Sequence, residues 1–242
     1  MRRMRFFLAI GAALLLLIPA GCSNKLSRQT GLTDADLLAR GEKRAEQKKY
    51  GDAAEAFQAL LERFPSSPLA ARAQFGLASI RMANKQEIEA EVAFDDFLRL
   101  YPADPRVPDA LLLKGALLAR QVLPPGRDQG KTQEAIKAYT MFLEREPGSP
   151  RAGEAAGKIR ELRNRLALHE ATVVSHYLSR KRFDSAEARA RRAFAAYPDV
   201  PAAPTLLSLL AQALEKEGKK DEAGTTRKTL AEKYPEYGVK KR

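Results

Sequence analysis

Ile159, Leu162, Leu166, Val173 and Tyr177 keep helical spacing through a segment that has no Gly or Pro between Gly157 and Pro198. Strand-type alternation of apolar and polar residues is absent, so the pattern predicts helices and no sheet. Five helical segments end in a proline: Phe64-Pro65, Tyr101-Pro102, Glu146-Pro147, Tyr197-Pro198 and Tyr234-Pro235. Twelve residues before each proline stands an alanine: Ala53, Ala90, Ala135, Ala186 and Ala223. Eight before it come Phe57, Phe94 and Tyr139 in the first three cases, but Ala190 and Arg227 in the last two. A small residue lets paired helices approach closely, a ring fills the space beyond, and the proline stops the second helix.

This recurrence is the tetratricopeptide pattern with unequal spacing. The prolines stand 37, 45, 51 and 37 residues apart, in place of a uniform repeat of about 34. The extra length lies in a Pro- and Gly-bearing loop, QVLPPGRDQGK (121–131), and in one long helix over about 150–181. Thr132 is expected to cap the helix after the loop, with Glu134 in its first turn. The expected fold is all-α, a tetratricopeptide-like superhelix of about five antiparallel helix pairs. They are 33–48 with 52–64, 68–84 with 86–101, 106–120 with 132–146, 150–181 with 184–196, and 202–217 with 220–234. Residues 33–147 form repeats 1–3, 148–236 form repeats 4–5, and 237–242 are a basic tail.

Stacked helix pairs curve around a concave face that commonly holds peptides or other domains. Offsets from the terminal prolines point Leu38, Glu42, Arg72, Phe75, Ser79 and Met82 into that face. These six either grip an extended peptide or, for Leu38 and Phe75, belong to the ordinary core between repeats.

The first residues change the picture. Arg2, Arg3 and Arg5 precede FFLAIGAALLLLIPAG (6–21), which is a secretory signal by its parts, and is short for spanning a bilayer of about 30 Å. Small residues Ala20 and Gly21 directly before Cys22 form a lipobox, although Pro19 stands where Leu is usual and Leu17 and Ile18 lie just upstream. Residues 1–21 are thus read as a lipoprotein signal peptide, Cys22 as the lipidated first residue of the mature chain, and 22–32 as a polar tether. Ser23 and Asn24 follow with no Asp, the bacterial sorting pattern for the outer membrane. Acyl chains, at about 0.8 kcal/mol per buried CH₂, would hold the chain on that membrane's periplasmic face. Cys22 is the one cysteine, so packing and not a disulfide must stabilise the fold.

Net charge is +12, with +9 remaining after the signal. The cations are interspersed with Glu and Asp along helices, which reads either as a solvated surface or as a site for anionic headgroups and acidic partners. An exported chain does not meet nucleic acid.

PPGRDQGKT (124–132) looks like a nucleotide loop, yet Gly126 and Gly130 have three residues between them where a phosphate loop needs four. Pro125 stands where the first glycine belongs and has no N–H to offer. No catalytic set appears. His169 and His176 lie seven apart on one helix, and a helical zinc pair needs four, so neither metal nor cofactor is expected. The histidines read as core or interface residues and the chain as a non-enzyme.

The lipobox, the aromatic-proline endings and residues 126–199, above all Arg127-Asp128-Gln129 with Thr132 and LALHE (166–170), resemble the BamD family. The resemblance implies a lipoprotein scaffold of the β-barrel assembly machinery. Such a scaffold binds the POTRA-barrel protein BamA through its later repeats, alongside other assembly lipoproteins, and meets unfolded outer-membrane proteins through its earlier ones. It puts Arg189 at the BamA contact and makes Arg127 and Asp128, in the third-repeat loop, partner-binding residues with it. From the residues alone Arg189 is equally a helix-surface arginine among Arg191 and Arg192. PDALLLKGALLAR (108–120) lacks the tyrosines that open the family's third repeat. The alternative is another periplasmic repeat lipoprotein, a pilus-secretin pilotin or a Tol-associated adaptor, which the stretched intervals disfavour.

Overall fold

A computed structural model describes residues 31–237. The lipobox with Cys22, most of the tether and the end of the basic tail lie outside the described residues. Ten helices follow one another among them: α1 (Asp34–Glu46), α2 (Tyr50–Arg63), α3 (Ala70–Ala83), α4 (Glu87–Leu100), α5 (Val107–Arg120), α6 (Gly130–Arg145), α7 (Ala152–Ser179), α8 (Phe183–Ala196), α9 (Ala203–Lys216) and α10 (Lys220–Lys233). They pair α1 with α2, α3 with α4, and so on to α9 with α10, each second helix also packing on the next pair. The fold is the all-α tetratricopeptide-like stack that the proline pattern predicts.

Two kinds of turn build it. Between pairs, each chain reversal carries two prolines three apart, Pro65 and Pro68, Pro102 and Pro105, Pro147 and Pro150, Pro198 and Pro201. The first stops one helix, and the second sits at the entry to the next. Within pairs, Lys48, Lys85 and Lys181 take left-handed φ values of 57°, 60° and 58°, and Gly218 takes 85°. The residue after each of them donates to a carbonyl five residues back, as Lys49 N does to Arg44 O, which closes the helix end. Thr33 opens α1 with a capping box: its hydroxyl accepts from Asp36 N at 3.1 Å, and the Asp36 carboxylate accepts from Thr33 N at 3.0 Å.

α6 corrects the sequence reading at its start. Thr132 is not the cap; it is fully buried inside the first turn, and its hydroxyl donates to Gln129 Oε1 at 2.9 Å. The Asp128 carboxylate instead accepts from Gly130 N at 2.9 Å, and Glu134 falls one turn late, paired with Lys131.

The repeating alanines Ala53, Ala90, Ala135, Ala186 and Ala223 are all fully buried. The rings beside them need special neighbours. Phe57 is clamped between α1 and α3, where a Cβ at Gly41 would stand 2.5 Å from its ring and one at Gly76 would stand 2.8 Å away. Tyr139 lies in the same way on Gly115 of α5, where a Cβ would meet the ring at 3.0 Å. The last two repeats lack such rings. There Ala190 is buried against its neighbours, Arg227 pairs with Glu215 on α9, and charge ties α8 to α10. Glu187 accepts from Lys219 at 2.6 Å and from Arg191 at 2.7 Å, and Arg191 reaches on to Glu222 at 2.5 Å.

α7, with 28 residues, is twice the length of its neighbours and belongs to both halves. Ala155 and Leu162 pack with α3 to α6, whereas Ala167, Ala171 and Val174 pack with α8 and α9. First helices touch across neighbouring pairs as α1 with α3, α3 with α5 and α7 with α9; α5 and α7 form no comparable seam.

Gly76→Ala should lower stability, because overpacking of about 1–3 kcal/mol outweighs the helix-propensity gain of about 1 kcal/mol. Urea unfolding followed by circular dichroism checks this, and in a Phe57→Leu background the same change should be neutral or stabilising. Lys219 and Arg191 hold the Glu187 carboxyl down at about 2, against an ordinary value of 4.5. Its contribution is therefore complete at neutral pH and fades as pH falls from about 4.5 towards about 2. Thermal midpoints of the native chain and Glu187→Gln should differ most at pH 7, draw together as pH falls below about 4.5, and converge only near pH 2.

Candidate functional site

Three surfaces carry the residues that the sequence singles out. The first is a groove of about 440 Å³ between α1 and α3, lined by Glu42, Arg72, Phe75 and Ser79 together with Gly76 and Arg106. Arg72 Nε lies 2.6 Å from Glu42 Oε1, so the two opposing walls neutralise each other at the rim. Phe75 meets Phe97 edge to face, centroids 5.5 Å apart, and is partly buried. Ser79 spends its hydroxyl on Phe75 O at 2.9 Å. Asp104 fixes Arg106 with two contacts of 2.8 Å, and this hydrogen-bonded guanidinium holds the Asp104 carboxyl below its ordinary range.

Two of the six expected groove residues lie elsewhere. Leu38 is buried in the core between the first pairs, at 5% exposure, and offers nothing to a ligand. Met82 lines a second cleft, one turn further along α3 and shared with α5, α6 and α7.

The second surface is the loop between α5 and α6. Arg127 and Asp128 are exposed there, and Asp128 is occupied with capping α6. What orders the loop is a residue to which the sequence reading gave no separate role. Gln129 is buried, and its Nε2 donates to Pro124 O at 3.0 Å and Arg127 O at 3.1 Å. α7 grips the same loop from outside, with Arg165 donating to Leu123 O at 2.7 Å. His169 Nδ1 stands 2.6 Å from Pro125 O, which as a carbonyl only accepts, so this nitrogen carries the proton. A buried polar side chain inside a Pro-Gly loop is the signal that singles out Gln129, because loop backbone must find donors somewhere.

The third surface is the α7–α8 face around Arg189. Its Nε and Nη2 fork the two oxygens of Glu170 at 2.6 and 3.0 Å. That hydrogen-bonded pair raises the Arg189 pKa further. The side-on edge of the guanidinium is thus engaged, while its Nη1 edge remains for another acceptor. Both side chains are partly exposed, at 32% and 23%. Arg191, two residues on, is committed to Glu187 and Glu222, so the structure separates the two arginines that the sequence could not.

With this geometry in hand, the comparisons with known proteins align with the whole stack. Residues 31–230 match the family described as YfiO, outer membrane lipoprotein. A protein of Neisseria meningitidis serogroup A named outer membrane protein assembly factor BamD is 25% identical, over 97% of this chain and 92% of that protein. Proteins of the same name from Xylella fastidiosa strain Temecula1 and Caulobacter vibrioides are 26% and 25% identical, covering 95% and 93% of this chain and 82% and 75% of those proteins.

Gln129→Leu should loosen the α5–α6 loop, since it removes the donor to two partly buried carbonyls and leaves the fully buried Thr132 hydroxyl without its acceptor, a loss of about 1–3 kcal/mol for a buried polar group. Brief trypsin treatment read by mass spectrometry should then cut first after Arg127, several-fold faster than in the native chain; an unchanged rate would show that the loop does not depend on Gln129.

Proposed function

We infer the work of this chain from its membership: it belongs to the YfiO family of outer membrane lipoproteins. It acts in the assembly of outer-membrane proteins, the role named in its BamD relatives, and on our reading does so as a non-enzymatic scaffold. The observation that carries this reading is the family match over 31–230, which takes in all the surfaces described above. Lipidation at Cys22 anchors the chain to the outer membrane at its periplasmic face, an assignment supported by the lipobox Ala20-Gly21-Cys22.

Two surfaces divide the work. The later repeats bind a BamA-like POTRA-barrel protein, with Arg189 as the charged contact and the Arg127-Asp128 loop as its neighbour. Support comes from the pre-oriented guanidinium, which Glu170 holds by one edge so that little ordering entropy remains to be lost on binding. The earlier repeats receive extended segments of unfolded outer-membrane proteins in the groove of Glu42, Arg72, Phe75 and Ser79, which offers a ring beside a charge pair that can open. Other assembly lipoproteins belong to the same complex.

The test is to recover the lipidated chain from detergent-solubilised outer membrane and identify what accompanies it. A POTRA-barrel protein should co-purify, and Arg189→Glu should reduce its recovery roughly tenfold or more, the scale of a lost charged interface contact. Circular dichroism should show the variant still folded. Recovery of a secretin in place of any barrel protein, or undiminished recovery with Arg189→Glu, would count against the assignment.

A further inference from the structure

Because each pair is antiparallel and all first helices run the same way, the turns within pairs lie along one edge of the stack and the proline turns along the other. The two edges carry opposite charge. Taking each reversal with one helical turn on either side, and the described chain ends with the proline side, Lys, Arg, Asp and Glu leave +5 along the within-pair edge and −4 along the proline edge. α1 joins the two edges and rises about 20 Å, more than twice the ~8 Å over which physiological salt screens a charge. A surface laid against one edge therefore feels that edge alone.

Several of these cations stand against local preference. Lys48, Lys85 and Lys181 hold the left-handed position that Gly218 fills in the last pair, where glycine is the least strained residue. The dipole of the first helix favours a cation at that position, but the dipole of the second disfavours one at the next. Lys49 and Arg182 nevertheless stand there, as N-caps of α2 and α8 with no side-chain bond to the helix, where Ser or Asp would supply one. Lys48, Lys49 and Lys85 are exposed and have no ion-pair partner among the described residues. Three residues after Lys85, in the first turn of α4, Ile88 is 77% exposed, and Val92 follows at 55%.

Point-like ammonium groups beside an exposed aliphatic side chain suit a bilayer surface, which offers phosphates to the first and acyl chains to the second. The tether has the reach for it. Residues 22–32 separate the anchor proposed at Cys22 from Thr33, and these eleven residues span up to about 36 Å when extended, more than the length of α1.

We propose that the within-pair turns of the first two pairs rest on the membrane, Lys48, Lys49 and Lys85 against anionic headgroups and Ile88 in the interface, so that the stack stands edge-on to the bilayer. The acidic proline edge faces away, and the tether runs back along α1 to the anchor. This contact is separate from acylation at Cys22 and uses none of the residues assigned to the groove or to the Arg189 face.

The experiment uses the mature chain from residue 22 with Cys22→Ser, so that no acyl chain contributes, and sedimentation with vesicles of phosphatidylcholine alone or with about one-third phosphatidylglycerol. The native chain should favour the anionic vesicles by on the order of tenfold or more and lose the preference in high salt. Lys48→Glu with Lys49→Glu and Lys85→Glu should abolish the preference. Arg99→Glu with Arg145→Glu and Lys233→Glu, the same change of net charge on the proline edge, should leave binding within about threefold of native. Circular dichroism should show both variants folded. Lys48→Gly with Lys85→Gly should raise the thermal midpoint yet weaken vesicle binding roughly tenfold or more, since each lysine near such a surface counts for about fivefold. Ile88→Ser should weaken binding a few-fold and leave its salt dependence unchanged. Equal losses from the two triple variants, glycine variants that bind as the native chain does, or a native chain indifferent to phosphatidylglycerol would each overturn the proposal. A chain that ignores the vesicles but binds polyglutamate through the same three lysines overturns it in favour of an acidic protein partner.

Discussion

Close approach between helices is the constraint on which the rest of this structure depends. Five fully buried alanines set the distance within each pair, and Gly41 and Gly76 admit the Phe57 ring between one pair and the next. A ring seated between two glycines fixes how far one pair is rotated on its neighbour, because neither side can take a methyl group without moving it. The groove between α1 and α3 follows from this packing. Phe57 forms part of its lining, and its width is the width that the ring imposes.

The regular stack is interrupted once, and the interruption generates most of the chemistry. α7 rises about 42 Å, at 1.5 Å for each of its 28 residues, where the other helices rise about half of that. Its first half serves the earlier repeats and its second half the later ones, so the two halves share a beam and not a flat interface. At the middle of that beam the α5–α6 loop is held on one side by Arg165 and His169. On another side the turn before α9 is held by Arg163 to Asp199 at 2.7 Å and by Asn164, which accepts from Ala202 N at 2.8 Å. Both grips fall within two helical turns, which fixes the later repeats relative to the earlier ones. The same displacement opens the α5–α7 cleft.

Charge has two separate uses. In the last two repeats, where rings are missing, Glu187 links Arg191 and Lys219 and substitutes electrostatic ties for aromatic packing. On the α7–α8 face, Glu170 orients Arg189 without consuming all of its donors. A chain with a net charge of +12 thus holds many of its cations in pairs, and the number of arginines is a poor guide to which of them a partner meets.

The proline and alanine spacings determined the helices, their pairing and the stacking, because these depend on local sterics that short stretches of sequence carry. No predicted helix boundary differs from the observed one by more than two residues. The site was legible only in part. Arg72, Phe75 and Ser79 share one wall because they share a helical period on α3, with Glu42 of α1 facing them, while Leu38 turned inward and Met82 fell into a different cleft, since period alone does not say where the neighbouring helix lies. Gln129 as the centre of its loop and Glu170 as the partner of Arg189 were decided by tertiary structure. Both depend on atoms brought together across the fold, and a linear pattern holds no record of such distances.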